Sequence, residues 1–366
     1  MIEQGKISSL QMAIFMYPAI IATGVLLIPS ITAVHAGRDM WISPIWGSFI
    51  GFATVYIAYK LHTQYPGKTV IQYSEDILGK LLGKMLGLIY LLFYLHITGI
   101  VLREYSEFIL GIFFLHTPII VILGSMILVG AFAVRGGVEV IARASQICTP
   151  IVVILLLSVF IFLSQDLEPR YILPIFEEGI TPSLKGALTH QAWFSEFFLI
   201  SFFLPFLADG EKSLKWSFIS VVFVMLTFIT ANLSALFLFG DLTAKFLYPL
   251  MSAARYISIA DFIEQLESLV MAIWVAGAFV KLSVFYYALS LGTAQWLNLS
   301  EYKSTVFPLG ILLVVVAIWS GDNLTEVKET VGTLGPFYLT SLQTVLPLIL
   351  LLFVLVKKKV QKGAKG

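Results

Sequence analysis

"IATGVLLIPS", residues 21–30, sits inside an apolar run that covers positions 10–33. A run of about 20 apolar residues is long enough to cross roughly 30 Å of hydrocarbon as one helix. Gly24 lies near its centre behind Thr23, and Pro18 and Pro29 flank it. Glycine inside a helix costs about 0.8–1 kcal/mol relative to alanine. Two readings compete. In one, Gly24 lets a neighbouring helix approach closely, as glycine often does in membrane bundles. In the other, the helix unwinds at Ala22, Thr23 and Gly24 and frees backbone groups that only a cavity or a ligand can satisfy. The choice separates a plain helical bundle from a transporter-like fold with discontinuous helices.

The rest of the chain repeats the apolar pattern. The 366 residues are 58% hydrophobic and 12% charged, with a mean hydropathy of +0.92. Soluble domains carry about one quarter charged residues, so this chain cannot clothe a soluble surface. The apolar runs are continuous, which excludes the short alternating strands of a membrane barrel. The expected class is an all-α polytopic membrane protein. Ten spans can be read, near 10–33, 41–62, 84–112, 117–135, 144–164, 187–208, 214–239, 263–291, 303–319 and 335–356. They leave no room for a soluble domain, so residues 1–366 form one transmembrane unit. Glu3 and Lys6 precede a full-length span with no small-residue cleavage site, so no cleavable signal peptide is expected.

An even number of spans puts both termini on one side, and basic residues favour the cytoplasm. Placing the termini there puts 15 of the 23 basic residues inside. These are Lys6, Lys60, Lys68, Lys80, Lys84, Arg135, Arg143, Lys212, Lys215, Lys303 and the five lysines from Lys357 onward. Arg38, Arg103, Arg170, Lys185, Lys245, Arg255 and Lys328 fall outside or at outer helix ends. The outer loops also carry Asp166, Glu168, Glu177, Glu178, Asp322, Glu326 and Glu329. Ten spans divide into two sets of five with opposite starting sides, the inverted-repeat arrangement of many secondary transporters.

Four spans bring polar groups to a similar depth. Besides the Thr23–Gly24 pair in the first, the third has His96 and Thr98, the sixth Glu196, and the eighth Lys281 with Ser283 nearby. An ionised residue at the bilayer centre costs at least about 2.5–3.5 kcal/mol. Glu196 and Lys281 therefore turn away from lipid, either pairing with each other to hold the bundle or lining a polar pocket. His96 alone in a helix reads first as a hydrogen bond to a neighbour. Arg103, Glu104 and Glu107 lie one to two turns further out and read as an outer vestibule, with Arg103 and Glu107 spaced for an i,i+4 pair.

Several classes are excluded by what the sequence lacks. No basic patch with interleaved aromatics points to nucleic acid. One cysteine, Cys148, forms no internal disulfide and no multi-cysteine metal site. No zinc-hydrolase, nucleophile-elbow or P-loop motif occurs. No enzyme activity, cofactor or metal is expected.

The stretches "IATGVLLIPS" (21–30), "RGGVEVIAR" (135–143), "ILPIFEEGITP" (172–182) and "IEQLESLVMAIWVAGAFVKLSVFYYA" (263–288) together resemble the permease-like B subunits of spore germinant receptors, the GerAB-like family. The layout is also similar to the amino-acid/polyamine/organocation transporter superfamily, whose first and sixth helices are broken. The resemblance runs nearly end to end. It implies a subunit in the spore inner membrane that senses a small germinant, an amino acid by preference. It also implies partners: an A-type subunit and a lipoprotein C-type subunit. By the same resemblance the ligand would meet Ala22, Thr23 and Gly24 at an unwound first helix. Further contacts would come from Ile97, Thr98 and Val101, from Phe197, Phe198 and Ser201, and from Val280, Lys281 and Ser283. A charged Lys281 in a pocket segment departs from the family pattern and would anchor a carboxylate or take a cation's place. A proton-coupled amino-acid symporter is the rival reading.

Overall fold

A computed structural model describes residues 3–256, 267–321, 326 and 332–363. Positions 263–266 of the eighth span, and Asp322, Lys328, Glu329 and Lys365, lie outside the described residues. The helices are α1 (Ser9–Ala36), α2 (Ser43–Gln64), α3 (Val70–Leu78), α4 (Lys80–Ile112), α5 (Ile119–Gly136) and α6 (Val138–Leu163). They continue with α7 (Thr181–Ser195), α8 (Ser213–Phe239), α9 (Pro249–Tyr256), α10 (Glu267–Leu297), α11 (Lys303–Trp319), α12 (Gly335–Thr340) and α13 (Leu346–Gly363). The chain is a polytopic helical bundle.

Among the described residues, seven stretches are long and apolar enough to cross a membrane: Ser9–Trp41, Lys80–Ile112, Ile119–Gly136, Val138–Leu163, Gly210–Lys245, Glu267–Leu297 and Gly335–Gln361. The other three expected spans correspond to α2, α7 and α11. α2 is diluted by Ser43, Ser48, Thr54, Lys60, His62 and Gln64. α7 stops after 15 residues and α11 has 17. All three pack within the same bundle.

The expected break in the first helix is not there. α1 runs as one α-helix through Ala22, Thr23 and Gly24. Gly24 is glycine for packing: a Cβ there would stand 2.6 Å from the ring of Phe228 on α8. Thr23 is held from outside, its Oγ1 accepting the indole N–H of Trp193 at 2.8 Å. Pro18 removes the hydrogen bond to the carbonyl of Ile14, and Thr149 of α6 donates its hydroxyl to that oxygen at 3.1 Å. A neighbour thus satisfies the freed group and the helix stays intact. Ser8 starts α1 with a capping box, its hydroxyl accepting from Gln11 N while Gln11 Oε1 accepts from Ser8 N.

The sixth span does change course. α7 ends at Ser195 and the chain continues as 3-10 turns over Glu196–Phe202 and Leu204–Phe206. Small residues bring α2 and α7 together side by side and parallel. Cβ atoms added at Gly47 and Gly51 would strike His190 and Phe194 respectively. On the other side α1 runs antiparallel to α7, with Thr32 and Ala36 beside Gly186 and Thr23 beside Trp193. In a membrane such interfaces rest on close packing of small residues.

This ladder puts the start of α1, the end of α2 and residues 203–209 on one face. There Ile7 bridges to Leu207, with Ile7 N donating to Phe206 O at 3.0 Å and Ala208 N to Ile7 O at 2.9 Å. Lys358 of α13 reaches Gln64 on the same face. Just inside it, Phe203 packs at a tilt against Phe15 and stacks on Tyr287, with ring centroids 4.7 and 5.3 Å apart respectively.

Candidate functional site

The change of winding in the sixth span puts a carboxylate at its first 3-10 residue. Glu196 is buried and faces α10, where Lys281 is fully buried. Lys281 Nζ donates to Glu196 Oε2 at 2.7 Å and to Oε1 at 2.9 Å. The ammonium also sits 5.2 Å from the ring centroid of Phe285, a cation–π contact. Two charges so deep are tolerable only because each neutralises the other. Both carboxylate oxygens are engaged by one ammonium.

Ser195, the last α-helical residue before Glu196, meets a second irregular point. The tenth span contains a π turn, Ser341–Val345, between α12 and α13. The wider turn carries Gln343 inward, where its Nε2 donates to Ser195 Oγ at 3.3 Å. Next to it the hydroxyls of Thr344 and Thr54 lie 2.6 Å apart. Single π turns in α-helices often accompany functional sites, and this one abuts the point where α7 gives way.

A cavity of about 470 Å³ opens between α1, α4, α7 and α12. Its polar lining comes from Thr23, His96, Glu104, Trp193 and Glu196. Its apolar lining comes from Ile97, Ile100, Val101, Ala192, Leu339 and, at the rim, the exposed Leu334 and Phe337. The volume suits a small organic ligand.

The residues singled out from sequence fall into three groups. Thr23, His96, Ile97, Val101, Glu104 and Glu196 line the cavity. His96 also approaches Tyr338, with Nδ1 and the phenol oxygen 3.2 Å apart. Lys281 stands behind the wall through Glu196. The remainder point elsewhere. Ala22 faces the close approach of α10 at Gly277, and Gly24 faces Phe228. Thr98 donates to the carbonyl of Tyr94. Phe198 stacks on Tyr90, while Phe197, Val280, Ser201 and Ser283 are buried in the packing.

Arg103 turns away from the cavity. Its Nη2 pairs with Glu107 at 2.7 Å, and its Nη1 donates to Ile318 O at 3.3 Å. The vestibule trio is therefore split, with Glu104 inside and Arg103–Glu107 on another side of α4.

Sequence reading missed Trp193, Gln343 and Tyr338. Each is a polar-tipped residue in an apolar span, and that is the signal that could have marked them. It also missed the buried pair of His190 and Asn232, whose ring Nε2 and Nδ2 lie 3.4 Å apart while Asn232 donates to Met40 O at 2.8 Å.

The fold recurs among known transporters. The chain superposes on MhsT, solved in complex with L-phenylalanine, with a TM-score of 0.63 at 13% identity, covering 96% of this chain and 99% of that one. It superposes on a Na+-coupled sialic acid symporter in a substrate-bound outward-open state with a TM-score of 0.64 at 12% identity, covering 93% and 80%. At these identities the likeness establishes a polytopic helical transporter fold and no more. Sequence relatives are closer. Spore germination protein KB of Bacillus subtilis is 28% identical across 100% of this chain and 98% of its own length. Spore germination protein YndE of the same organism is 28% identical over 79% and 81%, and spore germination protein A2 is 24% identical over 97% of each. The family model described as spore germination protein, a spore permease, matches residues 6–324. With most of its length inside that model, the chain belongs to the spore germination protein family.

Proposed function

We propose that this chain is the ligand-sensing membrane subunit of a germinant receptor, and that its ligand is a small nutrient of the amino-acid class. The observation that carries the reading is the 470 Å³ cavity, walled by Thr23, Glu104 and the Lys281-paired Glu196, in a chain of the spore germination family. In this reading ten spans cross the spore inner membrane with both termini on the core side. The ligand enters past Leu334 and Phe337 and favours one packing of the bundle over another. Its differential affinity for the two packings supplies the switching energy. An A-type subunit and a lipoprotein C-type subunit then carry the signal onward.

The ligand's seat differs from the one expected from an unwound first helix. The irregular backbone lies at Glu196 and at the π turn of Ser341–Val345, so the sixth and tenth spans are the elements placed to move. The test is germination of spores in which Ile100 is replaced by Trp, filling the cavity. Loss of the nutrient response with normal protein levels supports the reading, and an unchanged response refutes it.

A second reading, a proton-coupled amino-acid symporter, is favoured by the two buried carboxylates at the cavity and by the fold shared with transporters. Reconstituted alone in liposomes with an imposed pH gradient, a symporter accumulates labelled amino acid, whereas a sensor binds it without accumulation.

A further inference from the structure

The ionisable groups around the cavity do not all pair off. Arg103 is paired with Glu107, and Lys281 with both oxygens of Glu196. Glu104 is 4% exposed, lines the cavity, and among the described residues has neither a hydrogen bond nor an ion pair. Lys281 and Glu196 act on it with opposite signs from beyond contact distance. The cluster around the cavity thus holds one carboxyl group more than it holds basic side chains to pair with. A buried polar group without a partner is costly, and a buried charge more so. We infer that Glu104 is the counter-ion of a ligand ammonium group, so that the cavity selects small primary amines with an apolar body over neutral sugars and nucleosides. The inference rests on the ligand pocket proposed above and names its chemical class.

Three further features agree with it. The cavity wall beside Glu104 is aliphatic, with Val101 and Ile100 one turn away and Ile97 two turns away toward the N-terminus of α4. An amine headgroup on Glu104 therefore projects its carbon skeleton onto hydrocarbon. Thr23 Oγ1 already accepts the indole N–H of Trp193, which leaves the threonine hydroxyl hydrogen to donate to a ligand carboxylate. Lys281, held by Glu196, is not available to compete for that role.

The experiment uses the purified full chain in detergent, with binding read as a concentration-dependent rise in melting temperature. The probes are free L-amino acids, their N-acetyl derivatives, glucose and inosine. Free amino acids with aliphatic or aromatic side chains are expected to bind, and their N-acetyl forms to bind at least about tenfold more weakly, the range of one charge-assisted hydrogen bond. Glu104→Gln should erase most of that difference and Glu104→Asp should keep part of it. The comparison of free and acetylated amines on the unaltered protein decides the matter even if a variant folds poorly. Equal binding of acetylated, neutral and free-amine probes overturns the inference, as does unchanged amino-acid affinity in Glu104→Gln. So does the failure of every free amino acid to bind. In that last case the Ile100→Trp spores tell the two readings apart: lost germination spares the pocket and removes only the amine, whereas intact germination removes both.

Discussion

Lys281 and Glu196 touch across the centre of the bundle, Nζ to Oε2 at 2.7 Å and to Oε1 at 2.9 Å, with both side chains almost wholly buried. Removing one partner leaves the other as a bare charge. Lys281→Met and Glu196→Gln should each destabilise by about 3–5 kcal/mol, and the double replacement Lys281→Met with Glu196→Met should recover most of the loss. Melting temperatures of the three purified variants check this. A double variant no better than either single one would sink the pairing account.

Gly24 and Phe228 make a second, steric prediction. A Cβ at position 24 would come within 2.6 Å of two ring carbons of Phe228. Gly24→Ala should therefore lower folded yield and melting temperature, although alanine is the better helix former. Phe228→Leu in the same chain should restore both. If Gly24 instead marked an unwound segment, the phenylalanine change would bring no rescue.

The hydrogen bond from Trp193 to Thr23 ties α7 to α1 at the cavity wall, 2.8 Å long and buried. Thr23→Val keeps the shape and deletes the acceptor, at a cost of about 0.6–1.7 kcal/mol for an interhelical bond in a membrane protein. Thr23→Ser should be nearly neutral. Red-shifted or heterogeneous tryptophan emission in the valine variant, absent in the serine variant, locates the effect at Trp193.

Asp209 governs a pH dependence at the face that carries the termini. Its carboxylate accepts the backbone N–H of Ser9 at 2.6 Å. That bond, with help from the Ser9 hydroxyl and Lys212, holds its pKa below the ordinary 3.8. A depressed carboxylate stabilises the folded state above its unfolded pKa, and the contribution fades as pH falls through the folded one. Amide protection at residues 7–9, corrected for the intrinsic pH dependence of exchange, should therefore be high and flat above about pH 5 and fall progressively below about pH 4. Asp209→Asn should flatten the acid limb of that profile. An acid limb that survives the substitution assigns it to another group.

Much of the fold could be read from the chain because hydrocarbon imposes one simple demand, continuous apolar helices. The long spans α4, α6, α8 and α10 announce themselves by composition. α2 and α7 are less plain, since polar residues such as Ser43, Thr54, Ser183 and Ser195 interrupt them and lie buried in the bundle. The site was partly legible for the same reason: an isolated Glu196 or Lys281 in an apolar run has to face inward. What could not be read was the location of backbone irregularity. Gly24 flanked by prolines looks like a break, but Phe228 and Thr149 on other helices decide otherwise. The true change of winding falls at Ser195–Glu196, where no glycine or proline marks it. The π turn at Ser341–Val345 is equally silent, because it arises from the fit of Gln343 and Thr344 against Ser195 and Thr54. Such features belong to tertiary packing, which span-by-span reading does not reach.

The pairing of Ile7 with Phe206 and Ala208 sets a boundary on traffic through the molecule. Side chains can swing aside in nanoseconds, but on the face that carries the termini the ends of two different spans are stitched by main-chain bonds. A solute that is to pass between these two segments can do so only once that seam is unpicked. A receptor needs no second exit; a carrier must open one on every cycle.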